Sequence, residues 1–298
     1  MKVLVTGASG LLGKELVLEL LSRGHEVIAI SNRRDVEVSH ERLRKFRLDI
    51  SNAVKVENLI LRERPEVIIH AAAYTDVDGC EVNKELAWLV NVEGTRSIVR
   101  AARVVKSYLI YVSTDYVFDG EKGMYREGDV PNPINYYGLT KLIGEVLVRS
   151  SDLLYTVVRP SAIYGVRGSK KSFAEFVAER LSRGEEVKAL VDQYVSPTLN
   201  VLLAKAIAEI VELRPMGVLH VAGERMSRYE FAIKVAEALN LPKELIKVAR
   251  MEDMKSWIAK RPKDSSLDVS KAKSLLKTRF YDTNEALKIF TSKWLGGK

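Results

Sequence analysis

Short apolar runs alternate with longer amphipathic stretches through the first half of the chain. The runs are continuous and rich in β-branched residues, which is typical of strands covered on both faces of a parallel sheet. Between the first two runs, Leu12, Leu16 and Leu20 recur every four residues and predict a helix with one buried stripe. The runs are Val3-Leu4-Val5, Val27-Ile28-Ala29-Ile30, Phe46-Arg47-Leu48, Val67-Ile68-Ile69, Leu109-Ile110-Tyr111-Val112 and Thr156-Val157-Val158. This order predicts repeated βαβ units, and therefore an α/β fold with a doubly wound parallel sheet.

The pattern changes after about residue 160, where helical segments come to dominate. We expect helices near 172–183, 200–213, 228–239 and 283–294. The sequence therefore predicts two domains, with the parallel sheet in residues 1–160 and a smaller, mainly helical domain in residues 161–298. The apolar run Val218-Leu219-His220-Val221 interrupts those helices and predicts a strand near 217–222 that returns to the first domain's sheet.

Composition places this chain of 298 residues among globular proteins, because 47% of it is hydrophobic and 29% charged. The formal net charge of +8 is spread along the chain with only short clusters such as Arg33-Arg34, so we expect no nucleic-acid partner. No apolar run approaches the length of a membrane span, and we expect no membrane association. The single cysteine, Cys80, indicates a reducing compartment, the cytoplasm. Only one glutamine beside abundant charged residues is typical of thermophilic proteins.

A glycine-rich turn follows the first apolar run. Thr6-Gly7-Ala8-Ser9-Gly10-Leu11-Leu12-Gly13 has a GxxGxxG spacing and opens the first predicted helix. Such a turn presents backbone N–H groups and the positive end of the helix dipole to a pyrophosphate. Gly13, one turn into the helix, allows the helix and the strand to pack closely. The turn predicts a dinucleotide site of the Rossmann type, and an ordinary glycine-rich turn is the alternative.

The end of the second apolar run is the place where a Rossmann domain selects the adenosine ribose. NAD enzymes carry an acidic residue there, which accepts a hydrogen bond from the 2′-hydroxyl. Here Ser31, Asn32, Arg33 and Arg34 occupy the position, and a guanidinium suits a 2′-phosphate better than a diol. We therefore predict NADPH as the cofactor, with NADH as the alternative because Asp35 follows closely. Two solvated surface arginines are the competing interpretation.

A phenol and an ammonium stand four residues apart in Tyr137-Gly138-Leu139-Thr140-Lys141 and therefore share one face of a predicted helix. Upstream, Ser113-Thr114-Asp115 follows the Leu109–Val112 run, at the sheet edge where a doubly wound fold meets its ligand. A YxxxK match alone is expected about once by chance in a chain this rich in tyrosine and lysine. The strand-end hydroxyl makes the pair a candidate catalytic site. The alternative for Thr114 is a hydroxyl bonded to the nearby backbone.

The glycine turn, the strand-end threonine and YxxxK, in this order, resemble the extended branch of the short-chain dehydrogenase/reductase superfamily. Further segments narrow the resemblance, which runs from residue 1 to about residue 290, to the dTDP-4-dehydrorhamnose reductases. These segments are Ala71-Ala72-Ala73-Tyr74-Thr75-Asp76-Val77-Asp78, Ser113-Thr114-Asp115-Tyr116-Val117-Phe118-Asp119-Gly120, Asp192-Gln193-Tyr194-Val195-Ser196-Pro197-Thr198 and Arg261-Pro262-Lys263-Asp264-Ser265-Ser266-Leu267-Asp268. The resemblance implies an NAD(P)H-dependent reductase of a nucleotide-linked 4-keto-6-deoxy sugar, with dTDP-4-dehydrorhamnose reduced to dTDP-rhamnose.

The resemblance also implies roles for single residues. Tyr137 is expected to give a proton to the ketone oxygen, and Thr114 to donate a hydrogen bond to it. The positive charges of Lys141 and of the cofactor's ring are expected to lower the pKa of Tyr137. Substrate contacts are expected from Thr114, Asp115, Tyr194 and Arg261, the last two at the base and the diphosphate. The expected cofactor contacts, including the ribose-selecting positions, are Gly7, Gly10, Leu11, Leu12, Gly13, Ser31, Asn32, Arg33, Asp49, Ile50, Ala71, Ala72, Ala73, Asn91, Tyr137 and Lys141.

Several alternatives stay open. Core packing for Tyr194, an ion pair for Arg261, and a helix cap or an exposed polar role for Asp49 and Asn91 compete with ligand binding. The bacterial sugar reductases carry a tryptophan where this chain has Ala162. A cofactor-binding regulatory subunit like that of methionine adenosyltransferase and a nucleotide-sugar epimerase share the same motifs. The branch is often dimeric, which makes a homodimer the expected assembly, and no metal is expected because the sequence contains no acidic or Cys/His cluster suited to one.

Overall fold

A computed structural model of the protein describes residues 1–166, 168 and 171–296. The strands are β1 (Lys2–Thr6), β2 (Glu26–Ser31), β3 (Leu43–Arg47), β4 (Val67–His70), β5 (Tyr108–Val112), β6 (Tyr155–Arg159), β7 (Ser161–Tyr164), β8 (Val187–Leu190), β9 (Tyr194–Val195), β10 (Pro197–Leu199), β11 (Gly217–His220), β12 (Met226–Ser227) and β13 (Ile246–Ala249). The α-helices are α1 (Leu11–Ser22), α2 (Ala53–Glu63), α3 (Val77–Val82), α4 (Lys84–Trp88), α5 (Gly94–Val105), α6 (Tyr136–Arg149), α7 (Phe173–Ser182), α8 (Asn200–Leu213), α9 (Arg228–Ala238), α10 (Ser270–Leu275) and α11 (Thr283–Leu295).

Within the described residues, seven strands form one sheet in the order β11-β6-β5-β4-β1-β2-β3. Every pair of neighbours in it is parallel. The chain winds from β1 to one edge through β2 and β3, then returns to β4 and winds to the other edge. The strand order therefore reverses between β1 and β4, which is where this class of fold opens a ligand crevice at the carboxyl ends of its strands. The predicted doubly wound parallel sheet is confirmed.

Both faces of the sheet are buried. Val3 and Val5 pack into one core cluster, whereas Leu4 and Ile28 pack into a second cluster on the opposite face. This explains why the strands are continuously apolar rather than alternating. Helix α1 buries its predicted stripe of leucines against the sheet, and Gly24, with a φ of +79°, follows the end of the helix.

After residue 160 the chain forms a second group of elements beside the sheet. Short strands pair there as β7 with β10, β8 with β13, and β9 with β12. Helix α8 returns to pack against α1, and β11 extends the main sheet by pairing with β6. The later part of the chain thus supplies a helix and a strand to the sheet layer. The expected division into residues 1–160 and 161–298 stays a prediction. No described helix is both long and apolar enough to cross a membrane.

Candidate active site

The glycine-rich turn joins β1 to α1 at the carboxyl edge of the sheet. Gly7 has a φ of +71°, and a Cβ there would lie 2.9 Å from the backbone of Ala72. A Cβ on Gly13 would lie 2.0 Å from the carbonyl oxygen of Gly7, so only glycine lets the first turn of α1 pack here. Gly10 is the N-cap, and Leu11 and Leu12 begin the helix. The turn therefore aims the N-terminus of α1 at the crevice, as binding of a pyrophosphate requires.

The ribose-selecting positions lie at the ends of β2 and β3. Ser31 is buried, whereas Asn32 and Arg33 are exposed. Parallel pairing places Arg47 beside Ser31, and its guanidinium donates to the carbonyl oxygens of Asn32 and Arg33 at 3.1 Å each. Arg47 thus adds a second guanidinium next to Arg33. No local motif marks Arg47, because its place beside Arg33 depends on the register between two strands.

Asp49 lies beside these residues. Its carboxylate accepts hydrogen bonds from the amide of Asn32 at 2.8 Å and from the N–H and hydroxyl of Ser51 at 2.9 and 2.8 Å. Burial acts to raise the pKa of Asp49, but these hydrogen bonds and the charge of Arg33 outweigh it and hold the pKa below its usual value. Ile50 is buried next to Gly94 on α5. The expected adenine-binding pair is therefore ordered at the end of β3.

The segment after β4 lies against the glycine turn. Ala71 and Ala72 contact Gly7, and the N–H of Ala72 donates to the hydroxyl of Thr6 at 3.1 Å. Asn91 lies in a single π-helical turn, Leu89–Glu93. The Asn91 side chain bonds the N–H and C=O of Tyr74, at 2.7 and 3.1 Å, and donates to the hydroxyl of Thr140 at 3.0 Å. Asn91 therefore ties the loop that contains Ala73 to helix α6, and its contact with the cofactor stays a prediction.

Helix α6 and the end of β5 bring the predicted catalytic residues together. Asn135 caps the helix by accepting from the N–H of Gly138 at 2.8 Å, and Gly138 packs directly on the carbonyl oxygen of Tyr116. In this position Tyr137 meets the hydroxyl of Thr114. Lys141, one turn further on, donates from Nζ to the carbonyl oxygen of Val112 at 2.8 Å. The hydroxyl of Thr114 also accepts from the N–H of Tyr116 at 3.2 Å, which is the backbone role that the sequence left open.

Burial dominates the electrostatics of this group. Burial raises the pKa of Tyr137, and the hydrogen bond with Thr114 offsets only part of the rise. Lys141 is buried over the ring of Tyr111, with Nζ 4.1 Å from the ring centroid, and burial lowers the pKa of Lys141 to about 7. Loss of hydration dominates both groups, so the net pKa shift of Tyr137 is upward for the chain by itself. The expected lowering of this pKa by the positive charges of Lys141 and of a bound cofactor stays a prediction.

Asp115 is buried among hydroxyl groups. Its carboxylate accepts hydrogen bonds from Ser265 at 2.6 Å, Ser161 at 2.8 Å and Thr114 at 3.1 Å. Burial raises the pKa of Asp115 against the effect of these bonds. Asp115 thus links β5 to β7 and to the segment around residue 265. A direct contact with substrate stays a prediction for this residue.

Ala162 follows Ser161 at the position where the bacterial reductases carry tryptophan. Its φ of +40° is left-handed, which costs a residue with a Cβ about 1–2 kcal/mol. Strained backbone of this kind clusters at functional sites. Ala162 directly follows Ser161, which donates a hydrogen bond to Asp115, so the backbone of β7 is strained next to the candidate active site.

The predicted substrate residues are held by partners distant in sequence. Arg261 pairs with both carboxylate oxygens of Asp78, at 3.0 and 2.9 Å, and lies over the ring of Trp257. The guanidinium of Arg225 lies 3.9 Å from the ring centroid of Tyr194. Arg228, which no sequence motif marked, is a further charge that acts on Asp115 and Tyr116. In residues 1–166, 168 and 171–296, no His, Cys, Asp and Glu side chains gather in a group that could hold a metal ion.

Comparison with known proteins places the chain in a family. Residues 1–294 match the family model described as the RmlD substrate binding domain. The chain belongs to this family. It is similar to the crystal structure of a hypothetical dTDP-4-dehydrorhamnose reductase from Sulfolobus tokodaii, with 47% identity and a TM-score of 0.84 over 95% of this chain and 97% of that one. The predicted resemblance to dTDP-4-dehydrorhamnose reductases, within the extended short-chain dehydrogenase/reductases, is confirmed.

Two further relatives bear on function. The dTDP-4-dehydrorhamnose reductase of Bacillus anthracis, solved in complex with NADP, is 31% identical with a TM-score of 0.86 over 97% of this chain and 98% of that one. The methionine adenosyltransferase 2 subunit beta of Bos taurus is 32% identical, over 92% of this chain and 82% of that protein. The same chain architecture therefore occurs in proteins named for a reductase and for a subunit of another enzyme.

Proposed function

We propose that this protein is an NADPH-dependent reductase of a nucleotide-linked 4-keto-6-deoxy sugar and converts dTDP-4-dehydrorhamnose to dTDP-rhamnose. The observation that carries the proposal is the convergence of Thr114, Tyr137 and Lys141 at the carboxyl end of β5. The similarity to reductases from two organisms supports the substrate, and the NADP complex of one of them supports the cofactor.

The residues around the crevice fit a phosphorylated dinucleotide. The turn from Gly7 to Gly13 would hold the pyrophosphate, and Ser31, Asn32 and Arg33 would hold the 2′-phosphate. Asp49 and Ile50 would border the adenine, and Ala71 to Ala73 would lie along the cofactor. When bound, NADPH supplies the hydride for the ketone carbon of the sugar.

The chain's own groups would then manage the proton. The raised pKa of Tyr137 keeps the phenol protonated, as a group that must give a proton to the ketone oxygen requires. Thr114 would turn its single hydroxyl hydrogen from Asp115 to the same oxygen and stabilise the negative charge that develops there. Lys141 in its ammonium form would stabilise the phenolate left on Tyr137.

The proposal is tested by Tyr137→Phe, assayed by oxidation of NADPH in the presence of dTDP-4-dehydrorhamnose. Loss of the proton donor should lower kcat by about 100-fold or more. The Kd for NADPH should change little because the ring remains. Tyr136→Phe is the matched control, since the preceding residue on α6 packs against Lys84 and should retain turnover. Turnover like that of the wild type in Tyr137→Phe would exclude Tyr137 as the donor.

A regulatory subunit is the second candidate, favoured by the similarity to the bovine subunit. Such a protein would keep the cofactor crevice without turning over a sugar. Tight binding of NADPH without its oxidation by the wild-type protein, in the presence of dTDP-4-dehydrorhamnose, would support this candidate and overturn the reductase proposal.

We also propose a homodimer in the cytoplasm. Apolar side chains of Trp88, Leu89, Leu139 and Val146 are exposed on adjoining helical turns, which supports an interface on α6. The single cysteine of the sequence supports a reducing compartment. Light scattering of the wild type and of Val146→Glu measures the mass of the assembly. The wild type should be a dimer and Val146→Glu a monomer, whereas a dimer in both would exclude an interface on α6.

A further inference from the structure

Helix α6 contacts the end of β5 at two consecutive residues. Lys141 donates from Nζ to the carbonyl oxygen of Val112 at 2.8 Å, and the carboxylate of Glu145 accepts from the hydroxyl of Ser113 at 2.5 Å. Lys141 and Glu145 are four residues apart, so they project from one face of the helix. The next residue of the chain after Ser113 is Thr114. Both charged side chains therefore act at the base of the candidate catalytic group.

The carboxylate of Glu145 is fixed by a second partner. Arg159 on β6 donates from Nε to Oε1 at 2.8 Å and from a terminal nitrogen to Oε2 at 2.6 Å. Its other terminal nitrogen donates to Nε2 of His220 at 3.3 Å, and the opposite ring nitrogen of His220 then donates to the carbonyl oxygen of Tyr125 at 3.0 Å. Glu145 and Arg159 have side-chain exposures of 0% and 1%. A buried pair with this geometry holds a single arrangement.

The surroundings of Lys141 contain few charges. Tyr111 on β5 stays neutral because burial raises the pKa of its phenol, and His70 on β4 stays neutral because burial lowers its pKa to about 3. Tyr137 on α6 itself is also a neutral phenol. The group that counteracts the effect of burial on the pKa of Lys141 is Glu145. Removal of that carboxylate would leave the ammonium buried without a counter-charge.

We propose that Glu145 is a positioning residue whose carboxylate, fixed by Arg159 and Ser113, favours the ammonium form of Lys141 and anchors the end of β5 beneath Thr114. Lys141 then carries the positive charge that a phenolate on Tyr137 needs near neutral pH. The consequence for turnover rests on the proposed function. The protonation state of Lys141 does not, because it follows from the arrangement of the chain itself.

The first test measures the titration of Lys141 in protein labelled with [13C]lysine and free of cofactor. The Lys141 resonance is the one lost in Lys141→Met. Glu145→Gln should lower the titration midpoint of Lys141 by about one pH unit or more, since an opposite charge at close range shifts a pKa by about 1–3 units. The alkaline limb of the kcat–pH profile should move down by the same amount. Glu63→Gln is the matched control, because Glu63 is a buried carboxylate on α2 that pairs with Arg44 and is not among the groups that shift the pKa of Lys141, so its loss should leave the midpoint in place.

Glu145→Gln leaves Arg159 buried without its partner, so a second variant protects the test against misfolding. Glu145→Leu combined with Arg159→Met removes both charges, a change that buried pairs often tolerate. It should lower the Lys141 midpoint as well. An unchanged midpoint in the double variant would overturn the inference. A lowered midpoint in the variants, together with a wild-type protein that does not oxidise NADPH with the sugar, would uphold the inference and overturn the proposed function.

Discussion

Two buried polar clusters lie at the carboxyl edge of the sheet and differ in charge. The hydroxyl–imidazole cluster joins Thr6 of β1, His70 of β4 and Thr95 of α5. The charge cluster joins Lys141 and Glu145 of α6 to Arg159 of β6. Both are closed to solvent, and both connect strands to helices near the crevice. They show two ways in which a protein can bury polar groups next to a candidate active site.

The hydroxyl–imidazole cluster is satisfied without any charge. Thr95 donates to the carbonyl oxygen of Asn91 at 2.7 Å, so its oxygen accepts from Nε2–H of His70 at 3.0 Å. Nδ1 of His70 then accepts from the hydroxyl of Thr6 at 2.8 Å. Each hydrogen has an acceptor in this arrangement. A proton added to His70 would break the chain of hydrogen bonds, in agreement with burial lowering its pKa to about 3.

The charge cluster holds the buried ion pair of Glu145 and Arg159 despite the loss of hydration. Glu145 satisfies Arg159 through two hydrogen bonds and acts on Lys141 at the same time. Burying ions costs several kcal/mol each by general experience, and a hydrophobic replacement often folds as well. Charges kept in such a place, beside the candidate proton donor Tyr137, indicate a role in chemistry rather than in stability. For the neutral cluster we expect a structural role alone.

The largest effect that separates the clusters is expected for Arg159→Met. This substitution leaves the carboxylate of Glu145 buried without its guanidinium partner. Breaking a buried pair in this way typically costs about 3–5 kcal/mol in the free energy of unfolding. Glu145→Leu combined with Arg159→Met should restore most of that stability. Guanidinium unfolding of the three proteins measures both changes. A double variant as unstable as the single one would mean that the pair stabilises the fold, and the contrast with the neutral cluster would fail.

The neutral cluster should appear instead in the pH dependence of stability. The pKa of His70 is about 3 in the folded protein and 6.5 in the unfolded chain, so the unfolded state binds more protons as the pH falls below 6.5. The stabilisation is therefore complete above pH 6.5 and is lost as the pH falls towards 3. The loss amounts to at most about 1.4 kcal/mol per pH unit for one histidine. His220 and His25, whose pKa values burial also lowers, contribute in the same direction.

His70→Gln should flatten this dependence, measured as the slope of the unfolding free energy between pH 6.5 and 4.5. The slope is compared rather than the absolute stability, because the substitution also removes hydrogen bonds. His40→Gln, at an exposed histidine, should leave the slope unchanged. A slope in His70→Gln equal to that of the wild type would place a proton on folded His70 and remove the distinction between the clusters.

The sequence predicts the parts of the site that are local in the chain. The glycine-rich turn joins a strand directly to a helix, and the spacing of its glycines is enough to predict that Gly7 and Gly13 must be glycine. The alignment of Tyr137 with Lys141 follows from helical geometry. Glu145 stands on the same face, four residues further on, so a signal for it was present. The pairing of Glu145 could not be predicted from the sequence, because its partner Arg159 lies on β6 and meets helix α6 only in the folded protein.

The missed features depend on contacts between distant segments. Arg47 comes next to Arg33 only through the pairing of β2 with β3, and Arg261 meets Asp78 across 183 positions of the chain. The motif match named Arg261 but could not name its partner. The rise that burial causes in the pKa of Tyr137 was missed for a related reason. Burial of the phenol depends on how β5, α6 and the later segments pack together, and no short motif carries that information.

The smallest effect is expected for Thr95→Val, which removes the acceptor of His70 Nε2–H while keeping the shape of the side chain. An unsatisfied buried donor should cost about 1–2 kcal/mol in the free energy of unfolding. Thr95→Ser retains the hydroxyl and serves as the control. Because the neutral cluster carries no charge towards Lys141, the alkaline limb of the kcat–pH profile should stay in place in both variants. A shift of that limb in Thr95→Val, alongside an unshifted one in Thr95→Ser, would show that the neutral cluster also tunes the catalytic charges.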